Sequence, residues 1–202
     1  MFYKCSNIIY IDLSCFNSND ILNMESMFSG CLNLKYVDLY SIDTSKVTNM
    51  ANLFKNCYEL NIIDLFDFNT ENVITMESMF NGCKRLTNVN LKSFNTKNVT
   101  NMSKMFYYCD HLINVDLSSF ESKKVKSMEL MFFWCSELRY LDMSEFDLNN
   151  VENKTQIFYL SSLDRSNDMH PNKNKIIRVH KNSIEEFKKL ITSKSADILI
   201  KN

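Results

Sequence analysis

The chain has 202 residues, 45% of them hydrophobic and 23% charged, which is enough apolar material for a packed domain and too much for a disordered chain. A formal net charge of -1 excludes the basic surface that a general nucleic-acid or anionic-membrane binder needs. Two glycines and one proline leave the corners to Asn, Asp, Ser and Thr.

Met1 and Phe2 already occupy the positions that Met27 and Phe28 hold 26 residues later, so residues 1–23 read as a partial copy of a repeat, with Ile8, Ile11, Asp12, Leu13, Phe16 and Ile21 in its second half. Full copies start at Met24, Met50, Met76, Met102 and Met128. Aligned, they give columns of Phe (Phe28, Phe54, Phe80, Phe106, Phe132), of Cys (Cys31, Cys57, Cys83, Cys109, Cys135) and of Val (Val47, Val73, Val99, Val125, Val151). A fixed period of this length marks units too small to bury their own apolar face, which stack on one another instead. From Val47 through Met50, Leu53, Phe54 and Cys57 the apolar steps are those of a helical face; from Leu60 through Ile63 and Leu65 they shorten towards those of a strand. The pattern predicts, per unit, one short helix or helical turn, capped by Thr48, Thr100 and the Asn or Ser beside the Met column, and one short strand. The strands fall at 36–39, 62–65, 88–91, 114–117 and 140–143, paired in parallel. The fold class is α/β, a right-handed solenoid with a parallel sheet.

Residues 79–102, MFNGCKRLTNVNLKSFNTKNVTNM, resemble the BspA-type leucine-rich repeat of bacterial and protist surface proteins, and the resemblance extends over residues 1–158. It implies a leucine-rich-repeat-like solenoid for adhesion or protein recognition, with no catalytic residues to carry over, and a cell-surface or secreted location. The chain departs from the family in two ways. It opens without the basic start, apolar run and cleavage site of a secretion signal, which keeps a cytoplasmic location as the alternative, and Asn90 replaces the Asp of the Val-Asp-Leu triplet.

Periodicity lapses where Lys154, Ser161 and Asp164 replace Met, Cys and Leu. Residues 159–202 then read as a polar linker holding Pro171 and a β-α-β-like cap: a strand over 176–179, a helix opened by a capping box of Ser183 and Glu186, with Ile184, Phe187, Leu190 and Ile191 on its apolar face, and a strand over 198–200. A distinct terminal unit covers the last repeat of such an array.

Six of the seven cysteines stand 26 apart with no Cys-x-x-Cys pair. Stacking leaves neighbouring thiols near bridging distance, yet a regular stack favours reduced thiols packed as small apolar groups. Along the strands runs a polar row, Asp12, Asp38, Asp64, Asn90, Asp116 and Asp142, facing away from the interior. Either it binds cations or basic partner side chains, or each side chain accepts from local backbone. Outward positions vary between units, with Tyr36, Tyr40, Phe66 and Tyr140 among them, and Tyr107, Tyr108, Phe133 and Trp134 form a second aromatic patch, open to a partner or packed under the C-terminal segment. His111, His170 and His180 make no ligand set, and no nucleophile triad, phosphate loop or zinc spacing appears. The expectation is a non-enzymatic module without metal or cofactor that binds a protein or cell-surface component through its outward strand face. The alternative is an assembly subunit docking through an uncapped N-terminal edge.

Overall fold

The computed structural model describes residues 1–16, 18–162 and 175–191, and the backbone of 198–201. Its fold is mixed α/β. Strands β1 (Tyr10–Asp12) and β2 (Tyr36–Asp38) form a parallel pair; β3 (Asn114–Asp116), β4 (Tyr140–Met143), β5 (Lys175–Val179) and β6 (Ile198–Lys201) form a parallel four-stranded sheet in that order. The α-helix described is α1 (Ile184–Leu190). Pairing steps by 26 residues, Tyr10 opposite Tyr36 and Asn114 opposite Tyr140. A second ladder of parallel bridges links Asn23, Asn49, Thr75, Asn101, Ser127 and Asn153.

The repeat register sets the interior. The rings from Phe2 through Phe158 stack in one file at 5.2 to 5.8 Å between centroids, and Phe68, Phe94 and Phe120 make a second file. The Met, Leu and Val columns are buried beside them. Each copy contributes one layer, so its apolar side chains leave water only against the layers before and after it.

Three expectations are corrected. The segment with helical apolar spacing is a chain of overlapping turns. Two positions per copy have positive φ, Ser26 and Gly30, then Asn52 and Asn56, Ser78 and Gly82, Lys104 and Tyr108, Leu130 and Trp134, a conformation that a right-handed helix excludes. The N–H groups of Met24, Ser26, Phe28 and Gly30 donate to Asn49, Ala51, Leu53 and Lys55 of the next copy at 2.7 to 3.0 Å, while those of Met27, Ser29 and Cys31 close turns on Met24, Ser26 and Phe28. With Glu25 N–H donating to Asn23 Oδ1 at 2.7 Å, every amide from Met24 to Cys31 has a partner. At Gly82 (φ +76°) the requirement is sharpest, because a Cβ would lie 2.6 Å from Asn56 Oδ1.

The strand ladder, secondly, is interrupted. Residues 62–65 form no strand and Asn88 keeps a single bridge to Asn114; strand propensity does not explain the break, since Ile62 and Ile63 are strand formers and Asn114 carries the same side chain as Asn88 inside β3. Thirdly, the caps differ. Asn49 and Asn101 Oδ1 do accept from Ala51 and Ser103 N–H, but the Thr48 and Thr100 hydroxyls donate to the Leu22 and Ile74 carbonyls of the preceding copy. Ser183 makes no capping bond; its hydroxyl accepts from Leu148 N–H and donates to Asp147, tying the terminal segment to the last full copy, and Glu186 pairs with Lys154 and Lys189. Phe187 is fully buried and meets Phe158 edge-on at 5.3 Å. Asp164, His170 and Pro171 lie outside the described residues.

All seven cysteines are free thiols. Cys31, Cys57, Cys83, Cys109 and Cys135 donate through Sγ to the carbonyl of the Phe one copy earlier, at 3.1 to 3.2 Å. Burial pushes the thiols of Cys57, Cys83, Cys109 and Cys135 far above their ordinary range. Since the thiolate is the reactive form, a native-state thiol titration should label Cys5 and Cys15 promptly and the five buried thiols only on unfolding. Prompt labelling of all seven would contradict this packing.

Candidate functional site

The outward positions of β2 and the following copy converge. Tyr36, Asp38 and Tyr40 from one copy and Asp64, Phe66 and Asp67 from the next surround a hollow of about 220 Å³. Its aromatic rims stand in solvent, Tyr40 being 81% and Phe66 62% exposed. Tyr36 is stacked on Tyr10 at 5.4 Å and also borders a wider, open depression with Lys35, Glu59, Ile62, Arg85 and His111. Strand alternation places these side chains: Val37 and Leu39 point inward and are buried, so Tyr36, Asp38 and Tyr40 point outward.

The polar row has a local structural task in every copy. Asp12, Asp38, Asp64, Asn90, Asp116 and Asp142 each accept through Oδ1 from the N–H two residues on, at 2.8 to 3.2 Å. These Asx turns bend the chain after the row residue in every copy, including those of Asp64 and Asn90 where no strand forms. The second oxygen differs along the row. At Asp142 it accepts from the Tyr140 hydroxyl at 3.0 Å and from Arg178 Nη1 at 3.1 Å. The other carboxylates of the row make no ion pair among the described residues. Burial alone would push the Asp142 carboxyl up, but bonds from Ser144, Tyr140 and Arg178 outweigh it and hold the group below the usual range.

Arg178 was not singled out by the sequence reading. It sits directly opposite Asp142 in the β4–β5 register, where the next Asp of the row would stand, and its guanidinium lies 5.9 Å from the Tyr140 ring centre. The available signal was the alternation of buried Ile177 and Val179 about an exposed residue.

Of the other residues expected at a site, Asp116, Tyr140 and Asp142 lie towards the C-terminal end of the row, away from the hollow. Tyr107, Tyr108, Phe133 and Trp134 form a separate patch on the turn segments. Tyr107 stacks on Phe133 at 4.8 Å and Tyr108 on Trp134 at 5.5 Å, all four half-buried, with Tyr159 extending the first file. Among the described residues no three His, Cys, Asp or Glu side chains gather as a metal site, and no helix is long and apolar enough to cross a membrane.

The family described as Mycoplasma protein of unknown function, DUF285, matches residues 1–112 and again residues 83–192. No curated protein and no solved structure matches the chain.

Proposed function

Because the chain belongs to the Mycoplasma protein family DUF285, whose description records no activity, we propose from its geometry that it is a non-enzymatic recognition module of the BspA leucine-rich-repeat kind. In this reading it is a right-handed solenoid that binds a protein or cell-surface component through its outward strand face. The observation that carries the proposal is the exposed group Tyr36, Tyr40, Ile62 and Phe66, large apolar side chains held outward while their inward neighbours are buried. Clustered exposed aromatics on a rigid scaffold mark contact surfaces. The hollow between them, about 220 Å³, is smaller than the roughly 300 to 1,000 Å³ of small-molecule sites and suits one side chain of a partner. A surface protein or secreted module is the setting this reading implies.

Beads coated with the chain should adhere to cell surfaces, and the double change Tyr40→Glu and Phe66→Glu should reduce adhesion by about tenfold or more without moving the melting temperature. Equal adhesion by both proteins would overturn the proposal.

A second reading, assembly through the N-terminal edge, is favoured by one observation: among the described residues β1 is paired with β2 alone, and an edge strand is a template for pairing. Sedimentation separates the two, since a recognition module runs as a monomer and an assembly subunit associates end to end in a manner abolished by Ile11→Pro.

A further inference from the structure

The chain carries its own example of how the polar row takes a cation. At the C-terminal end, Asp142 Oδ2, which also accepts from the Tyr140 hydroxyl, pairs with the Arg178 guanidinium at 3.1 Å, and that guanidinium lies 5.9 Å from the Tyr140 ring centre. Tyr36 and Asp38 occupy the same two positions four copies earlier, and Tyr10 and Asp12 repeat them beside it. There the register places Asp12 opposite Asp38, and Asp64 lines the same hollow as Asp38. Like charges facing one another across strands about 5 Å apart destabilise the sheet unless a cation lies between them. The Tyr10 hydroxyl, on the ring stacked against Tyr36, has its pKa raised above the ordinary range, first by partial desolvation and then by the Asp12 and Asp38 carboxylates.

Resting on the recognition face described above, we infer that the hollow between Tyr36, Asp38, Tyr40, Asp64 and Phe66 receives an arginine side chain of a partner protein, held as the chain holds its own Arg178. Asp38 and Asp64 each spend Oδ1 on an Asx turn and keep Oδ2 for the incoming group. A guanidinium fits better than an ammonium because it is planar. It can stack on a tyrosine ring while its fork of donors meets carboxylates on two neighbouring copies. Tyr40 and Phe66 then receive the apolar residues flanking that arginine.

The test uses amide chemical-shift titration of the full isotope-labelled chain with N-acetyl-arginine methylamide, its uncharged citrulline analogue and the lysine analogue. The matching variant is Asp38→Asn with Asp64→Asn, which preserves the turns, since Asn90 already makes the same bond to Lys92 N–H in its own copy. The expected result is saturable shifts at 36–40 and 64–66 with arginine, weaker ones with lysine, none with citrulline, and a loss of about tenfold in affinity in the variant. Equal shifts from citrulline, or an unchanged affinity in the variant, would overturn the inference. The adhesion assay separates this failure from that of the recognition face: loss of adhesion in the Tyr40 and Phe66 variant with none in the Asp38 and Asp64 variant would sink the arginine site alone.

Discussion

Replacing Phe80 by alanine should lower the stability of the chain by roughly 3 to 5 kcal/mol, the range for deleting a fully buried aromatic ring. Phe80 is fully buried and stacked on both faces, 5.8 Å from Phe54 and 5.5 Å from Phe106. The ring fills one layer of a file, so its loss removes contacts with two neighbouring copies at once, and neither can shift inward without dragging its own turns. In a chain whose cohesion is a sum of nearest-neighbour interfaces, the damage is localised at one step. The melting temperature should fall by about 10 °C or more, and the transition should broaden as the two flanks uncouple. Circular dichroism melts of Phe80→Ala against Phe66→Ala supply the check. Phe66 is exposed, and its truncation should cost no more than about 0.5 kcal/mol. Equal effects would mean that the Phe file is not the interior.

The second large effect is expected from a change that removes no volume. Thr70 is fully buried, and its hydroxyl donates to the Asn95 carbonyl at 3.0 Å while accepting from the Asn95 N–H at 2.8 Å. Thr44 does the same to Asn69, and Thr96 to Glu121. One hydroxyl thus satisfies both backbone groups of a residue in the next copy. Thr70→Val keeps the shape and strands both groups, at about 1 to 3 kcal/mol each, so a loss of roughly 2 to 6 kcal/mol should appear in urea unfolding. Thr70→Ser should cost less than about 1 kcal/mol, because Ser122 fills this column unaided, accepting from Asp147 N–H. If valine were tolerated as well as serine, these bonds would contribute nothing to cohesion between copies.

How much of this could be read from residues alone depended on whether a feature lay in one copy or between two. Burial of Phe54, Cys57, Val73 and Met76 was legible because each position is filled by the same residue type every 26 residues, and only a shared interior asks for that. The turn segment was misleading, since apolar steps of three and four serve a helical face and a run of overlapping turns equally well. The distinguishing sign was present: Gly30, Asn56 and Gly82 share one column and Ser26, Asn52 and Ser78 another, small or polar residues where φ is positive. Tyr108, Leu130 and Trp134 in the same columns obscured it. Tyr36, Asp38, Tyr40, Asp64 and Phe66 were legible as outward residues by alternation, but not their convergence on one hollow, which depends on how far neighbouring copies are displaced. Arg178 was out of reach of the period. It is separated from Asp142 by 36 residues, so the terminal strand enters the register after an insertion that breaks the count. Ser183 reads as a helix cap for the same reason, its hydroxyl being claimed instead by Leu148 and Asp147 across a comparable gap.

The bonds that join neighbouring layers are the same at every step, Met24 to Asn49, Met50 to Thr75, Met76 to Asn101, and this makes the copy a removable cassette. Excising residues 76–101 would butt Thr75 against Met102, restore the sequence order that every junction has, and let Phe54 stack on Phe106. The shortened chain would keep its interior while its exterior changed abruptly, since Asn90 would vanish and Asp64 would abut Asp116 in an unbroken acidic line. A sequence built this way can change its outward face in whole-cassette steps while its interior columns stay in register.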